Sequence, residues 1–165
     1  MIKLKDLKIK KTTNIDDYLN LYNIVLDNLD DKDLLGAFTK EDVINILENG
    51  GKIWLYYDNN IPVCSIFLIP VMRKTLDKHN LSYDEKETTS VGPVMVHPNY
   101  RGNKLQKQMI LVLEKYAKSK NYKYIFTKVS EKNIRSKKNF EDLDYKIVNK
   151  YENERGVNIA FIKKI

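Results

Sequence analysis

The chain is poor in the residues that build metal centres, disulfides and membrane spans. It has one cysteine, Cys64, inside an apolar run, so no disulfide framework exists and a buried structural thiol is expected. Two histidines and one cysteine, with no HxxxH or CxxC spacing, leave no metal site to expect. No apolar run approaches the roughly eighteen residues that a membrane helix needs. The first residues, Met1-Ile2-Lys3-Leu4-Lys5, alternate lysine with aliphatics and lack the apolar region of a signal peptide, so a cytoplasmic protein is expected. Six glycines and four prolines in 165 residues leave little room for flexible linkers.

What is present is a hydrophobic content of 42%, enough for a real core, in a length expected to form a single domain over residues 1–165. The net charge of +7 is spread along the whole chain. Its densest basic cluster, Lys132 to Lys138, reads as a solvated helix face beside Glu131. A nucleic-acid module would show an aromatic-plus-basic strand pattern or a recognition helix, and neither is found.

Residues 5–12 are expected as a first strand, and Asn14 or Asp16 as the cap of a helix to about Asp27. Thr39 with Asp42 opens a second helix that ends before Gly50-Gly51. A hairpin follows: Lys52–Tyr57, a turn at Asp58-Asn59-Asn60, then Ile61–Ile69. Residues 71–88 are polar and irregular, with a short helix over Met72–His79, and read as a functional flap. Strand Thr89–Val96, helix Asn103–Lys118, strand Tyr122–Val129 and helix Glu131–Leu143 come next. Tyr145–Tyr151 and Val157–Lys163 close the chain as an antiparallel pair around Asn153–Gly156.

The run Val94-Met95-Val96-His97-Pro98-Asn99-Tyr100-Arg101-Gly102-Asn103-Lys104-Leu105-Gln106 is the most informative segment. A strand, a tight turn and a helix opening in succession make an anion site, because the first helical turn has unpaired N–H groups with the positive end of the helix dipole behind them. Gly102 and the amides of Asn103 to Lys107 form the expected cradle, since glycine lets the backbone approach a phosphate closely.

Arg101-Gly102-Asn103-Lys104 resembles the acyl-CoA-binding motif of the GNAT superfamily of N-acyltransferases, usually Arg or Gln, two residues, Gly, one residue, then Gly or Ala. Arg101 fits, whereas Lys104 and Gln106 stand where small residues are commonest. The element order is also similar to that fold, over roughly Val91–Tyr145. The resemblance implies a mixed, mostly antiparallel α/β sheet of six to seven strands with about four helices and splayed central strands. It implies acetyl-CoA as co-substrate, bound by Val94, Met95, Val96, Arg101, Gly102, Asn103, Lys104, Leu105, Gln106, Lys107 and Asn133, and a small-molecule or peptide amine as acceptor. Pro93 supports the splay, because proline in a central strand is tolerated only where a ladder bond is lost. Asn133 either contacts the pantetheine arm or caps the following helix. Phe140 stands where many of these enzymes have a tyrosine that protonates the departing thiolate. Ser90, Glu87 and Tyr145 are the catalytic candidates, with Glu85 beside Glu87, and His97 is expected to turn away at the strand end. Two alternatives stay open: a CoA-binding protein that turns over poorly, and a basic nucleic-acid module.

Overall fold

The computed structural model describes residues 1–10, 13–36 and 38–165. Its seven strands are β1 (Lys8–Ile9), β2 (Lys52–Asp58), β3 (Ile61–Pro70), β4 (Thr88–Val96), β5 (Tyr124–Ser130), β6 (Lys146–Asn153) and β7 (Gly156–Lys164). Five α-helices join them: α1 (Ile15–Asp27), α2 (Lys40–Glu48), α3 (Arg73–Lys78), α4 (Leu105–Ser119) and α5 (Ile134–Asp142). The strands form one sheet in the order β1-β2-β3-β4-β5-β7-β6, antiparallel at every pairing except β4 with β5.

Local chemistry sets the element boundaries. The Asn14 side chain accepts from the Asp17 N–H and starts α1, while Thr39 and Asp42 form a reciprocal capping box at α2. Asn59 and Asn60 both adopt positive φ, giving the tight turn that suits a two-residue hairpin between β2 and β3. The expected first strand over residues 5–12 is a correction: Leu4–Asp6 is a 3-10 turn and only Lys8–Ile9 pairs, with Lys11 and Thr12 outside the described residues. Leu4 is drawn into the core, and its N–H donates to the Gln108 side chain, so packing overrides the alternation read there. The expected four helices become five because the flap's α3 is regular enough to count.

The core lies on both faces of the sheet. On one, Leu105, Met109, Ile110 and Leu113 of α4 and Phe140 of α5 pack onto Ile66, Leu68, Ile125 and Phe161. On the other, Tyr18, Leu21 and Val25 of α1 cover β2 and β3, and Leu76 of α3 packs with Phe126 and Ala160. Cys64 is fully buried in β3, and burial pushes its thiol pKa up to about 12, so it is a packing residue.

Two irregularities at the centre position the functional region. β4 and β5 pair only from Thr88↔Tyr124 to Val91↔Thr127. Beyond that point β4 stays with β3 as far as Val96, and β5 stays with β7 as far as Ser130, so the two strands part. Where they part, β4 bulges. Ile66 opposes Val94 and Leu68 opposes Val91, leaving Phe67 to face both Gly92 and Pro93. Pro93 has no N–H to offer a ladder, and Gly92 has no side chain to collide with β3. The buried Thr127 hydroxyl donates to the Val91 carbonyl at 3.2 Å and closes the apex.

A Cβ at residue 92 would lie 2.5 Å from Ile69 Cδ1, 3.0 Å from Ile69 Cγ1 and 3.2 Å from the Phe67 carbonyl oxygen. Gly92→Val is therefore expected to cost about 1–3 kcal/mol of stability by overpacking. Urea unfolding measures this, and a loss below roughly 0.5 kcal/mol, the range of a neutral surface change, would show that the bulge has slack.

Candidate active site

The parted strands leave backbone groups without partners. The His97 N–H donates to the Val63 carbonyl at 2.7 Å, and the register Cys64↔Val96, Ser65↔Met95, Ile66↔Val94 carries that alternation back along β4. His97 and Met95 thus turn their backbone groups to β3. Val94 and Val96 turn theirs the other way, toward the gap where β5 is absent. Of the three strand positions expected to meet a pantetheine arm, Val94 and Val96 offer free N–H and C=O groups and Met95 does not. The Met95 side chain is buried on the α1 side of the sheet.

A cavity of about 520 Å³ fills the gap. Its floor is Ser90–Val94 of β4 and Phe126–Ser130 of β5. Asn133, Ser136 and Phe140 border it from α5 and the turn before it. Asp33–Gly36 and Phe38 of the α1–α2 connection border it too, with Val71, Met72 and Thr75 around α3 and Tyr151, Asn153, Arg155 and Asn158 from the last two strands and their turn. It reaches both faces of the sheet where β4 and β5 part.

The Arg101–Lys107 cradle lies beside α5. Lys104, in left-handed conformation at φ 58°, precedes the first residue of α4, and no side chain caps the helix. The first helical bond runs from the Gln108 N–H to the Lys104 carbonyl at 3.3 Å, so the amides of Leu105, Gln106 and Lys107 precede the ladder. Gly102 has φ +84°, and a Cβ there would meet nothing within 4 Å. The space before it is open, as close approach by a phosphate requires. Arg101 and Lys104 are exposed and have no ion pair among the described residues. These residues fit a pyrophosphate.

Several side chains in this segment serve the scaffold, leaving the contact with an anion to the backbone. Asn103 accepts from the Ile2 N–H and donates to the Tyr100 carbonyl. Leu105 is buried in the core. Gln106 donates to Ser136 and accepts from Asn139, both at 2.9 Å, tying α4 to α5. Lys107 pairs with Asp142. Asn133 does cap α5, accepting from the Ser136 N–H at 3.2 Å, while also bordering the cavity.

The catalytic candidates separate. Ser90 lines the cavity, with its hydroxyl donating to the Ile69 carbonyl at 2.6 Å. Glu87 does not reach it: it sits at the closed end of β4 and β5, paired with Lys123 at 2.7 Å. Glu85 is similarly occupied, accepting from the Arg73 N–H. Tyr145 lies apart from the cavity too. Its ring packs against Phe140 on the α4 side, outside the cavity lining, and burial followed by the nearby Glu114 carboxylate drives its pKa far above the ordinary phenol value. His97 turns back to accept from the Asn99 N–H. Phe140 is buried against Tyr145 and Phe161 and borders the cavity without a proton to give.

Sequence reading missed two lining residues of consequence, Lys128 and Arg155. Lys128 lies in the strand expected over Tyr122–Val129, where no motif marks it, and Arg155 lies in a hairpin turn. Asp33 is the only carboxylate among the lining residues, and it faces Arg155 at 3.7 Å. Among the described residues no group of His, Cys, Asp and Glu could hold a metal ion, and no helix is long and apolar enough to cross a membrane.

Comparison with known proteins agrees with this geometry. A search of curated protein sequences finds no significant match. Among solved structures, the ribosomal-protein-alanine N-acetyltransferase of Brucella melitensis superposes with a TM-score of 0.73 at 15% identity, covering 96% of this chain and 100% of that one. An N-acetyltransferase of Staphylococcus aureus Mu50 gives 0.70 at 16% identity, covering 96% of each chain. The yncA protein of Salmonella typhimurium, solved with acetyl-CoA, gives 0.69 at 12% identity over 96% of this chain and 93% of that one. At such identities these likenesses speak for the fold. The model of the acetyltransferase (GNAT) family matches residues 18–145, and with the parted strands and uncapped helix this places the chain as a member of that acyltransferase family.

Proposed function

We propose that this protein moves an acetyl group from acetyl-CoA to a primary amine by direct attack in a ternary complex. The observation that carries the reading is the cavity between β4 and β5. One of its ends is lined by Ser136, which accepts from Gln106 of α4's uncapped first turn, and the other is lined by the α1–α2 connection, Ile46 of α2 and Thr75 of α3. Two substrates entering from opposite faces would meet at the free edge of β4.

On this reading the amides of Gln106 and Lys107, with Arg101 and Lys104 outside them, hold the pyrophosphate. The Val94 and Val96 backbone pairs with the pantetheine arm. An N–H on this edge, fixed before the reaction begins, stabilises the charge that develops on the thioester oxygen. The amine must arrive neutral. Glu87 is engaged elsewhere and Asp33 faces Arg155, so the proton leaves through solvent, with Ser90 positioned to orient a water. The departing thiolate needs little help, since thiols ionise near pH 8.5. A second reading, a CoA-binding protein with poor turnover, is favoured by Phe140 and by the burial of Tyr145.

Acetyl-CoA at about a hundred times its dissociation constant is expected to stabilise the protein by roughly 2.7 kcal/mol. Gly102→Val should remove most of that stabilisation, whereas His97→Ala should keep it. An amine panel with acetyl-CoA, followed by free-thiol release, then tests transfer. Binding without release on any amine selects the second reading, and no binding at millimolar CoA removes both.

Phe140→Tyr would add a phenol at the border of the cavity. The turnover number is expected to rise, by up to about a hundredfold, with the apparent affinity for acetyl-CoA nearly unchanged, because the hydroxyl acts in the transition state. Steady-state kinetics with any accepted amine decides. An unchanged or lower turnover number would mean that the ring does not face the thioester.

A further inference from the structure

We propose that Lys128 makes the acceptor end of the cavity an anion-recognising site, so that the amine acetylated here also carries a carboxylate. The inference rests on the acetyl-transfer reading, because it names the acceptor class of that site.

Lys128 follows Thr127, the residue that closes the apex where β4 and β5 part. Its partner on β7 is Ala160, which packs with Phe126 and Leu76 on the α3 side of the sheet. Lys128 therefore stands on that face, opposite the α4 side where Val129 is packed, and it lines the cavity. It has neither an ion pair nor a hydrogen bond from its side chain among the described residues.

The surroundings supply no counter-ion. Asp33, the sole carboxylate of the lining, faces the Arg155 guanidinium, whose Nη2 donates to the Leu35 carbonyl at 2.7 Å. The Asn158 side-chain amide donates to Asn153 Oδ1 at 3.2 Å and to the Gly156 carbonyl at 3.1 Å, so these two asparagines engage each other. A second ammonium, Lys78 of α3, lies 5.1 Å over the Tyr151 ring. Burial by the cavity walls and then the Lys78 charge both depress the Lys128 pKa, although the side chain itself is solvent-exposed. An ammonium that lines a cavity beside a like charge and has no counter-ion gains when an anion arrives. A carboxylate on the acceptor supplies it. A polyamine brings further positive charge and is opposed. The same cations favour the neutral form of the acceptor amine, which is the form that attacks.

The test uses the full chain loaded with CoA. Glycine, β-alanine and γ-aminobutyrate space the amine and carboxylate differently, and each is titrated calorimetrically beside its carboxamide. The C-terminally amidated dipeptides Asp-Ala-amide and Asn-Ala-amide form a peptide arm, and spermidine is the polycationic probe. The same set is run with acetyl-CoA for thiol release. At least one carboxylate is expected to bind or react about tenfold better than its uncharged match, as a charge-assisted hydrogen bond implies, with spermidine worst. The arm in which this appears identifies a free amino acid or an acidic peptide as the source. Lys128→Gln should erase the preference through Kd or KM without changing CoA affinity, and Lys128→Arg should restore it. Equal use of the carboxamides, a preference for spermidine, no binding by any carboxylate probe, or a preference that survives Lys128→Gln would overturn the proposal. If CoA does not bind, the acetyl-transfer reading falls separately, and Lys128-dependent binding of the carboxylate probes is then measured on the free protein.

Discussion

The structure depends on a conflict that β4 cannot resolve. A central strand must satisfy hydrogen bonds on both edges, and β4 does so with β5 only as far as Val91. From there the Gly92-Pro93 bulge keeps it with β3, and the edges of Val94 and Val96 stay open. An unpaired strand edge inside a sheet costs free energy unless water or a ligand meets it. Here the edge faces a cavity, so the cost is deferred to whatever binds there. The buried Thr127 hydroxyl limits the damage by taking the last carbonyl before the gap.

The second unmet demand lies at α4. Its first turn has no capping side chain, and the residue ahead of it is a left-handed lysine, a conformation that non-glycine residues adopt at some cost. Around this opening the scaffold is well tied. Asn103 and Gln108 hold the N-terminal segment, and Gln106 fastens α5. Side chains thus fix the turn while the amides remain free, a preorganised arrangement for an anion.

Much of this was legible in the sequence. Caps at Asn14 and Thr39 were readable because their chemistry is local, as was the hairpin at Asn59-Asn60. Pro93 pointed to the parting strands, since a missing N–H has meaning wherever it falls. The side-chain roles of Asn103 and Gln106 were not legible, because they depend on partners 101 and 33 residues away. Glu87 lies just ahead of the motif strand and Tyr145 just after Phe140, but Lys123 pairs with the first and the α4-side core buries the second, contacts that lie equally outside the local pattern. Lys128 carries no motif at all. Only the cavity and the lack of a counter-ion mark it.

If the free edge of β4 binds acetyl-CoA, its amides must change when the ligand arrives. Residue-resolved amide hydrogen exchange reads it directly. In the free protein the Val94 and Val96 amides should exchange rapidly while Met95 and His97, bonded to β3, are protected. Saturating acetyl-CoA should slow Val94 and Val96 selectively. Amides at Val94 and Val96 that are already protected in the free protein, or whose exchange is unchanged by acetyl-CoA, would contradict the account.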